Sequence, residues 1–378
     1  MSPGTPVQLL PESRRGLLLG VRGWSFVIGA VAIVALVVPL LNLAVPAGNP
    51  LHLGDWGVAL VAKIMCYAMC ALAMDLIWGY TGILSLGHGL YFALGGYAMG
   101  MYLMRQIGRD GNYRSDLPDF MVFLDWKELP WTWGGSASFV FQMMLVVAVP
   151  AVVAGVFGWF AFRSRIKGVY FSIITQALTF AGMLLFFRNE TGFGGNNGFT
   201  DFKRILGAPV AAPSTRMLLF VVTGLTLIGF YLLARAVVNS KFGRVLQAIR
   251  DAETRVMFTG YDPLKYKLSI WVLSAVMCGI AGALYVPQVG IINPSEMSPA
   301  ASIEMAIWAA VGGRGTLVGP IVGAFFVNGA KSWFTQAFPE FWLYFLGALF
   351  IAVTLFLPRG IMGIRDRLKK DKGVEERA

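Results

Sequence analysis

Hydrophobic residues in this chain are gathered into nine runs of 17 to 25 residues, which alternate with polar and glycine-rich segments. A helix needs about 20 mostly apolar residues to cross the hydrocarbon core of a bilayer. A further apolar stretch, 301–311, is too short to cross by itself. We therefore predict an all-α, polytopic transmembrane bundle of about 8–10 membrane segments, with a broken or re-entrant helix near 301–320. The predicted spans are 24–45, 57–77, 83–104, 138–162, 168–187, 217–237, 267–286, 316–335 and 341–357.

The composition supports a membrane protein. Hydrophobic residues make up 57% of the 378 residues and charged residues only 13%, whereas soluble domains carry about 25% charged residues. One membrane domain, 24–358, is expected between a cytoplasmic N-terminal tail, 1–23, and a basic cytoplasmic tail, 359–378. Arginines precede the first run as in a signal peptide, but the run is too long for one. We therefore predict an uncleaved first helix.

The distribution of lysine and arginine sets the predicted orientation. A net charge of +11 could indicate a nucleic-acid partner. We instead attribute it to cytoplasmic segments, where basic residues fix the topology and meet anionic membrane lipid. The segments 163–167 and 241–267 and the C-terminal tail are then cytoplasmic, although the predicted outer loops also carry basic residues. Nine crossings would leave the tail outside. The stretches 301–311 and 316–335 must therefore either enter and leave on one face or cross as two short helices.

The cysteines offer little for metal or redox chemistry. Cys66 and Cys70 are one helical turn apart and Cys278 stands alone, all within apolar stretches. No second pair completes a metal site, so we interpret them as buried apolar side chains and predict neither a metal nor a cofactor. The chain has no phosphate-loop motif either, so any ATP energy must come from partners.

Two polar groups interrupt the apolar spans at helical spacing. Ser85 and His88 lie three residues apart in the glycine-rich segment that opens the third span. The fifth span carries a polar stripe on one face. Each group has two interpretations, which are hydrogen bonding between packed helices and the lining of a solute path. The stripe consists of Ser172, Thr175, Gln176 and Thr179.

Two further segments offer candidate solute contacts. Asn196 and Asn197 lie in a glycine-rich turn after the fifth span, where neutral amides could bind a small planar solute or simply form an Asn-Gly turn. Glu304 is acidic within an apolar run, and Trp308 follows one turn later on the same face. An acidic residue at membrane depth is a functional candidate by default. The alternative is an ion pair between Glu304 and an arginine that holds the broken helix together.

The segment 240–256 predicts a short amphipathic helix between two spans. Apolar residues recur from Val245 to Val256 at helical spacing, and charged residues occupy the other side. Gly260 and Pro263 then end the helix. Such a helix can lie on the lipid surface or dock into a groove on a partner protein. Acidic residues among the basic ones favour docking.

Five ordered motifs resemble the permease subunits of the branched-chain amino acid ABC importer family. They are GYTGILSLGHGLYFALGGYA, GVYFSIITQALTF, TGFGGNNGF, SKFGRVLQAIRDAETR and GGRGTLVGPIVGA, within residues 57–360. The resemblance implies a second permease subunit, two cytoplasmic ATP-binding subunits, a periplasmic solute-binding protein and a location in the bacterial inner membrane. The loop FLDWKELPWTW and the turn GGNNGFTDF resemble the urea branch of this family.

The resemblance also implies a role for the amphipathic helix, since SKFGRVLQAIRDAETR matches the family's ATPase-coupling helix. Tyr261 departs from the small aliphatic residue that the family often has at this position. The coupling residues that carry over are Gly243, Arg244, Ala248, Arg250 and Glu253.

These observations predict a transport subunit rather than an enzyme. We expect it to move a small polar nitrogen compound, first of all urea, into the cytoplasm by alternating access. One alternative is a permease for branched-chain amino acids or short-chain amides. Another is a stand-alone channel or secondary transporter, for which Asp75, His88 and Glu304 are the ion-coupling candidates. An intramembrane hydrolase would need a nucleophile and a base, and His88 is the one histidine within a predicted span.

Overall fold

The computed structural model describes residues 19–46, 48–166 and 168–341, together with residues 344, 345, 347, 348, 351, 355 and 360–363. Most of the predicted N-terminal tail, the predicted span 341–357 and the basic C-terminal tail lie outside the described residues.

Helices account for nearly all of the regular structure in these residues. The first helix, α1 (Val21–Ala32), continues through two π-helical turns, Ile33–Val37 and Leu40–Ala44. The others are α2 (Asp55–Thr81), α3 (His88–Ile107), α4 (Asp119–Phe123), α5 (Phe139–Arg163), α6 (Val169–Phe187), α7 (Pro213–Asn239), α8 (Lys241–Phe258), α9 (Pro263–Val289), α10 (Pro299–Gly312) and α11 (Val318–Ala337).

The hydrophobic pattern located most of the long helices to within a few residues. The predicted span 83–104 was wrong at its start, because residues 82–87 are irregular and α3 begins at His88, so Ser85 precedes the helix. The short helix α4 was not predicted. Six helices in the described part of the chain are long and apolar enough to cross a membrane, namely α1 with its continuation, α2, α5, α6, α7 and α9. Both α3 and α11 have 20 residues, but glycine and polar residues make them less apolar. The prediction of an all-α, polytopic membrane bundle is confirmed.

The centre of the bundle is built from α2, α3 and α9, which bury most of their side chains. Gly95 of α3 and Gly279 of α9 bring the two backbones into direct contact, because a Cβ on Gly95 would overlap the Gly279 carbonyl. Small residues allow this approach, which gains packing energy that lipid cannot supply. The helices α1 and α5 lie at the periphery and expose large apolar side chains such as Phe26 and Val140.

The predicted broken helix consists of two helices, α10 and α11, which pack side by side on a turn of five residues, 313–317. The turn rests on the C-terminal end of α2. Asp75 of α2 accepts hydrogen bonds from the backbone nitrogens of Gly315 and Leu317. Tyr80 donates a hydrogen bond to the Gly315 carbonyl at 2.9 Å. The irregular backbone is thereby satisfied within the protein, as membrane depth requires.

Two long loops pack together at the end of the bundle opposite α8, and we call these residues, 108–138 and 188–212, the outer cap. Trp133 from the first loop is buried and donates a hydrogen bond to the Gly192 carbonyl of the second at 3.1 Å. The second loop contains three short strands, and the fourth follows α9. These are β1 (Phe199–Thr200), β2 (Arg204–Ile205), β3 (Ala208–Pro209) and β4 (Ile291–Ile292), with β1 antiparallel to β4 and β2 antiparallel to β3.

Candidate functional site

The amphipathic helix forms as predicted and is α8. Ser240 caps it by accepting a hydrogen bond from the Gly243 nitrogen, and the helix is interrupted at Ala252, whose backbone is not helical. Its apolar side, with Leu246, Ile249 and Val256, is buried against α2, α7 and α9 of the same chain. The apolar side is therefore covered by the bundle itself, and the polar side is exposed.

Three of the five predicted coupling residues attach α8 to the bundle. A Cβ on Gly243 would overlap the carbonyl oxygens of Val237 and Val238, so only glycine fits the corner between α7 and α8. Arg250 donates to the Gly79 carbonyl of α2 at 2.8 Å. Glu253 forms an ion pair with Lys267 of α9, whose side chain is only 11% exposed. These contacts fix how α8 sits on the bundle.

The other two predicted coupling residues, Arg244 and Ala248, are exposed on α8. Phe258 at the end of the helix is 91% exposed, which is unusual for a large apolar side chain. Phe258 lies just beyond the predicted helix, 240–256, so the amphipathic pattern did not single it out. A basic face with an aromatic end is suited to contact with a partner protein.

Arg250 also links α8 to the turn between α10 and α11. Its partner Gly79 lies between Asp75 and Tyr80, the two residues of α2 that hold Gly315. Hydrogen bonds therefore connect α8 to the turn between α10 and α11 through the last turn of α2. The α2 residues of this link are one to five positions apart, and their partners lie on distant parts of the chain, so hydropathy carries no signal for the link.

His88 and Ser85 lie in the interior of the chain. The two His88 ring nitrogens are 2.9 Å from the Ser85 hydroxyl and 3.0 Å from the Ser274 hydroxyl of α9, and His88 is fully buried. Trp271 packs edge-on against the imidazole, with ring centroids 5.4 Å apart. This geometry favours the helix-packing interpretation of His88 over the solute path. Ser274 completes the arrangement and had not been singled out from the sequence.

The polar stripe of α6 contacts the segment that precedes α3. Ser172 donates to the Leu84 carbonyl at 2.8 Å, and Thr175 accepts from the Leu86 nitrogen at 3.1 Å. Gln176 is half-buried on the edge of the stripe. The buried part of the stripe therefore satisfies backbone groups that the irregular stretch 82–87 leaves without helical partners.

Asn196 and Asn197 are exposed in the outer cap, within a short 3₁₀ turn. The neighbouring Gly198 packs against the Ile292 carbonyl of β4, which anchors the turn. Both asparagine amides are accessible at the end of the bundle opposite α8.

The other loop of the outer cap contains an exposed ion pair. Arg109 donates a hydrogen bond to Asp116 at 3.2 Å and thereby lowers the pKa of that carboxyl group.

Glu304 forms an ion pair, but its partner is a lysine of α11. The Lys331 ammonium lies 2.9 and 3.0 Å from the two Glu304 carboxylate oxygens, so the expected arginine partner was wrong. Arg314, the nearest arginine in sequence, instead lies over the Trp78 ring at 5.3 Å. Trp308 is buried one turn from Glu304, with its ring 4.8 Å from the ring of Tyr67 on α2.

The comparisons with known proteins agree with this architecture. The family described as branched-chain amino acid transport system / permease component matches residues 58–354. This chain belongs to that family.

Among the relatives of this permease are two high-affinity branched-chain amino acid transport system permease proteins named LivM. LivM of Escherichia coli (strain K12) is 23% identical over 89% of this chain. LivM of Salmonella typhimurium is 22% identical over 88% of this chain. Each match covers 76% of the relative's own length. BraD of Pseudomonas aeruginosa, also named as a branched-chain amino acid transport system permease protein, is 23% identical over 79% of this chain. The match covers 91% of the length of BraD. No solved structure gives a significant match.

Two of the clefts in the described part of the permease lie on its flanks. The larger, of about 470 Å³, lies beside the outer cap and includes Asp55 and Arg216. The smaller, of about 340 Å³, runs between α2 and α11 and is lined by Lys63, Tyr67, Asn328 and Lys331, among others. Lys63 and Lys331 were not among the predicted site residues. Both lie within predicted spans, where a charged residue is a functional candidate for the same reason as Glu304.

The described part of the permease contains no cluster of histidine, cysteine and acidic residues that could hold a metal ion. The three cysteines are buried as free thiols.

Proposed function

We propose that this chain is a transmembrane permease subunit of an ATP-binding-cassette importer in a bacterial inner membrane. It works by alternating access between an outward-facing and an inward-facing state. The observation that carries the proposal is the geometry of α8. Its apolar side is fixed to α2, α7 and α9, while Arg244, Ala248 and Phe258 are free to meet a partner.

The partners follow from this arrangement and from the family. Two cytoplasmic ATP-binding subunits supply the energy, and one of them contacts the exposed side of α8. A second permease subunit completes the membrane pathway, and a periplasmic solute-binding protein delivers solute to the outer cap. Both tails of this chain are then cytoplasmic. Shifting a two-state bundle from 1:99 to 99:1 requires about 5.5 kcal/mol, which ATP binding and hydrolysis can provide.

A branched-chain amino acid is the first candidate solute. The relatives LivM and BraD are named for that transport, and the Glu304–Lys331 pair beside Lys63 supplies charges of both signs for a zwitterion.

Urea is the second candidate, and the outer cap favours it. The two segments that resemble the urea branch, FLDWKELPWTW and GGNNGFTDF, are packed against each other through Trp133 and Gly192. They form one unit that leaves the neutral amides of Asn196 and Asn197 exposed. Neutral hydrogen bonds suit an uncharged planar solute.

The test is ATP-dependent uptake of labelled solute by the complete complex in proteoliposomes, with unlabelled leucine, urea and acetamide as competitors. We expect uptake to require ATP and one of these solutes to compete. The control is this chain reconstituted alone, which should transport nothing. Uptake by the chain alone would identify a stand-alone channel or secondary transporter and refute the proposal.

A further inference from the structure

Charged side chains of both signs converge at membrane depth beside the cleft between α2 and α11. Lys63 lies eight residues into α2, about 12 Å along the helix, and Lys331 lies thirteen residues into α11, about 20 Å along it. Glu304 comes from α10, and Glu296 comes from the 3₁₀ turn before it. We call the following six residues the polar cluster: Lys63, Tyr67, Tyr285, Glu296, Glu304 and Lys331.

The polar cluster is connected by direct contacts. Tyr285 donates a hydrogen bond to Glu296 at 3.2 Å, and the Tyr67 and Tyr285 hydroxyls are 3.4 Å apart. Glu296 also interacts electrostatically with Lys63, Glu304 and Lys331. The six residues come from four helices and a turn.

Lys63 differs from Lys331 in what surrounds it. Lys331 is paired with Glu304, whereas Lys63 forms no salt bridge with any described residue. Its ammonium instead lies over the rings of Tyr67 and Tyr285, at 5.8 and 5.9 Å. An ammonium at this depth is costly on a surface that faces lipid, which favours a flank that faces water or protein.

A buried indole N–H lies next to the cluster. Trp308 is 2% exposed, packs on Tyr67, and has an indole N–H with no partner among the described residues. The cleft volume of about 340 Å³ is at the small end of the range for small-molecule sites.

From this geometry we propose that the polar cluster is the solute-binding site of this subunit. It binds a small solute that has an oxygen acceptor at one end and N–H donors at the other. Lys63 donates to the oxygen, and the carboxylates of Glu296 and Glu304 accept from the N–H groups. An amino acid offers this chemistry as carboxylate and ammonium, and urea offers it as carbonyl and amino groups. The assignment rests on the proposed function.

The test uses the complete complex with Lys63→Met. This substitution removes the ammonium and keeps an unbranched side chain, whose apolar character is tolerated in a transmembrane helix. Two quantities are measured, the solute concentration for half-maximal uptake and the equilibrium binding of labelled leucine and urea to the ATP-free complex. We expect both to weaken by about tenfold or more, the size of one lost charge-assisted hydrogen bond. Lys63→Arg, which retains a cation, should recover most of the loss.

Two further variants sharpen the result. Lys265→Met removes an exposed lysine beside Asp262, far from the cleft, and should leave uptake and binding unchanged. Glu296→Gln separates the two solutes. It should weaken leucine binding about tenfold or more, because an ammonium loses an opposing charge, but weaken urea binding by no more than about twofold, because an amide oxygen still accepts its N–H groups.

The outcomes distinguish this site from the proposed function. If the unaltered complex binds solute but shows no ATP-dependent uptake, the proposed function fails, while a binding loss in Lys63→Met still supports the site. If Lys63→Met binds and transports like Lys265→Met, the polar cluster is a structural ion network and the site assignment is overturned.

Discussion

Replacement of Asp75 by asparagine tests whether the turn between α10 and α11 depends on the end of α2. The fully buried Asp75 carboxyl group accepts two backbone hydrogen bonds, from Gly315 and, at 3.1 Å, from Leu317. Leu317 has a φ of +62°, in the left-handed region that non-glycine residues rarely adopt, so the turn needs external support.

Asparagine has nearly the same shape but only one acceptor oxygen, so one buried N–H loses its partner. An unsatisfied buried donor costs about 1–3 kcal/mol. At 1.36 kcal/mol per factor of ten, the ratio of folded to unfolded protein should fall roughly 5- to 160-fold. The assay is SDS titration of the purified protein in mixed micelles, which gives the free energy of unfolding.

The matched control is Asp55→Asn, the same substitution at the exposed start of the same helix. Asp55 contacts Asn42 at 3.0 Å and Arg216 at 3.8 Å, and both charged side chains of the latter pair are about half exposed. The exposed pair with Arg216 contributes little, and the Asn42 amide can still donate to the carbonyl oxygen of the replacement asparagine, so the change should stay within about 0.5 kcal/mol. Equal stability of the two variants would show that Asp75 does not support the turn.

Three further predictions concern topology, coupling and the solute. A cysteine introduced at Thr254 of α8 should be labelled only from the cytoplasmic side, and one introduced at Asn112 of the outer cap only from outside. The native cysteines are buried and should not react. Labelling of both introduced cysteines from the same side would contradict the topology. Phe258→Ser should leave the protein in the membrane but reduce co-purification of the ATP-binding subunits and ATP-driven uptake, and full retention of both would exclude Phe258 from the interface. Asn197→Ala should reduce urea uptake by roughly tenfold or less while the complex still assembles, because one neutral hydrogen bond contributes about 0.5–1.5 kcal/mol. Unchanged urea uptake would show that this residue does not contact the solute.

The sequence by itself determined the helices and the family. Hydropathy located α2, α5, α6, α7 and α9 to within a few residues of their observed ends, because a span must be continuously apolar over a length set by the bilayer. The short stretch 301–311 and the glycines after it predicted the break between α10 and α11. The amphipathic pattern of 240–256 predicted α8, because a local period of 3.6 residues is visible in any window of the sequence.

Tertiary structure alone decided what each polar side chain contacts. His88 meets Ser274, 186 residues away, and Glu304 meets Lys331 rather than an arginine. Arg250 reaches Gly79 over 171 residues. Composition and spacing showed that these residues were polar at membrane depth, but many partners at such separations were equally compatible with the hydropathy pattern.

The amphipathic helix shows the same division. Its apolar stripe predicted a buried side, but not whether that side would be buried by a partner protein, by lipid or by the chain itself. The bundle covers it because α8 folds back on α2, α7 and α9, contacts that the sequence pattern does not encode. The polar cluster likewise exists only because α2, α9, α10 and α11 converge, since hydropathy reports each segment's preference for the membrane and not its neighbours within it.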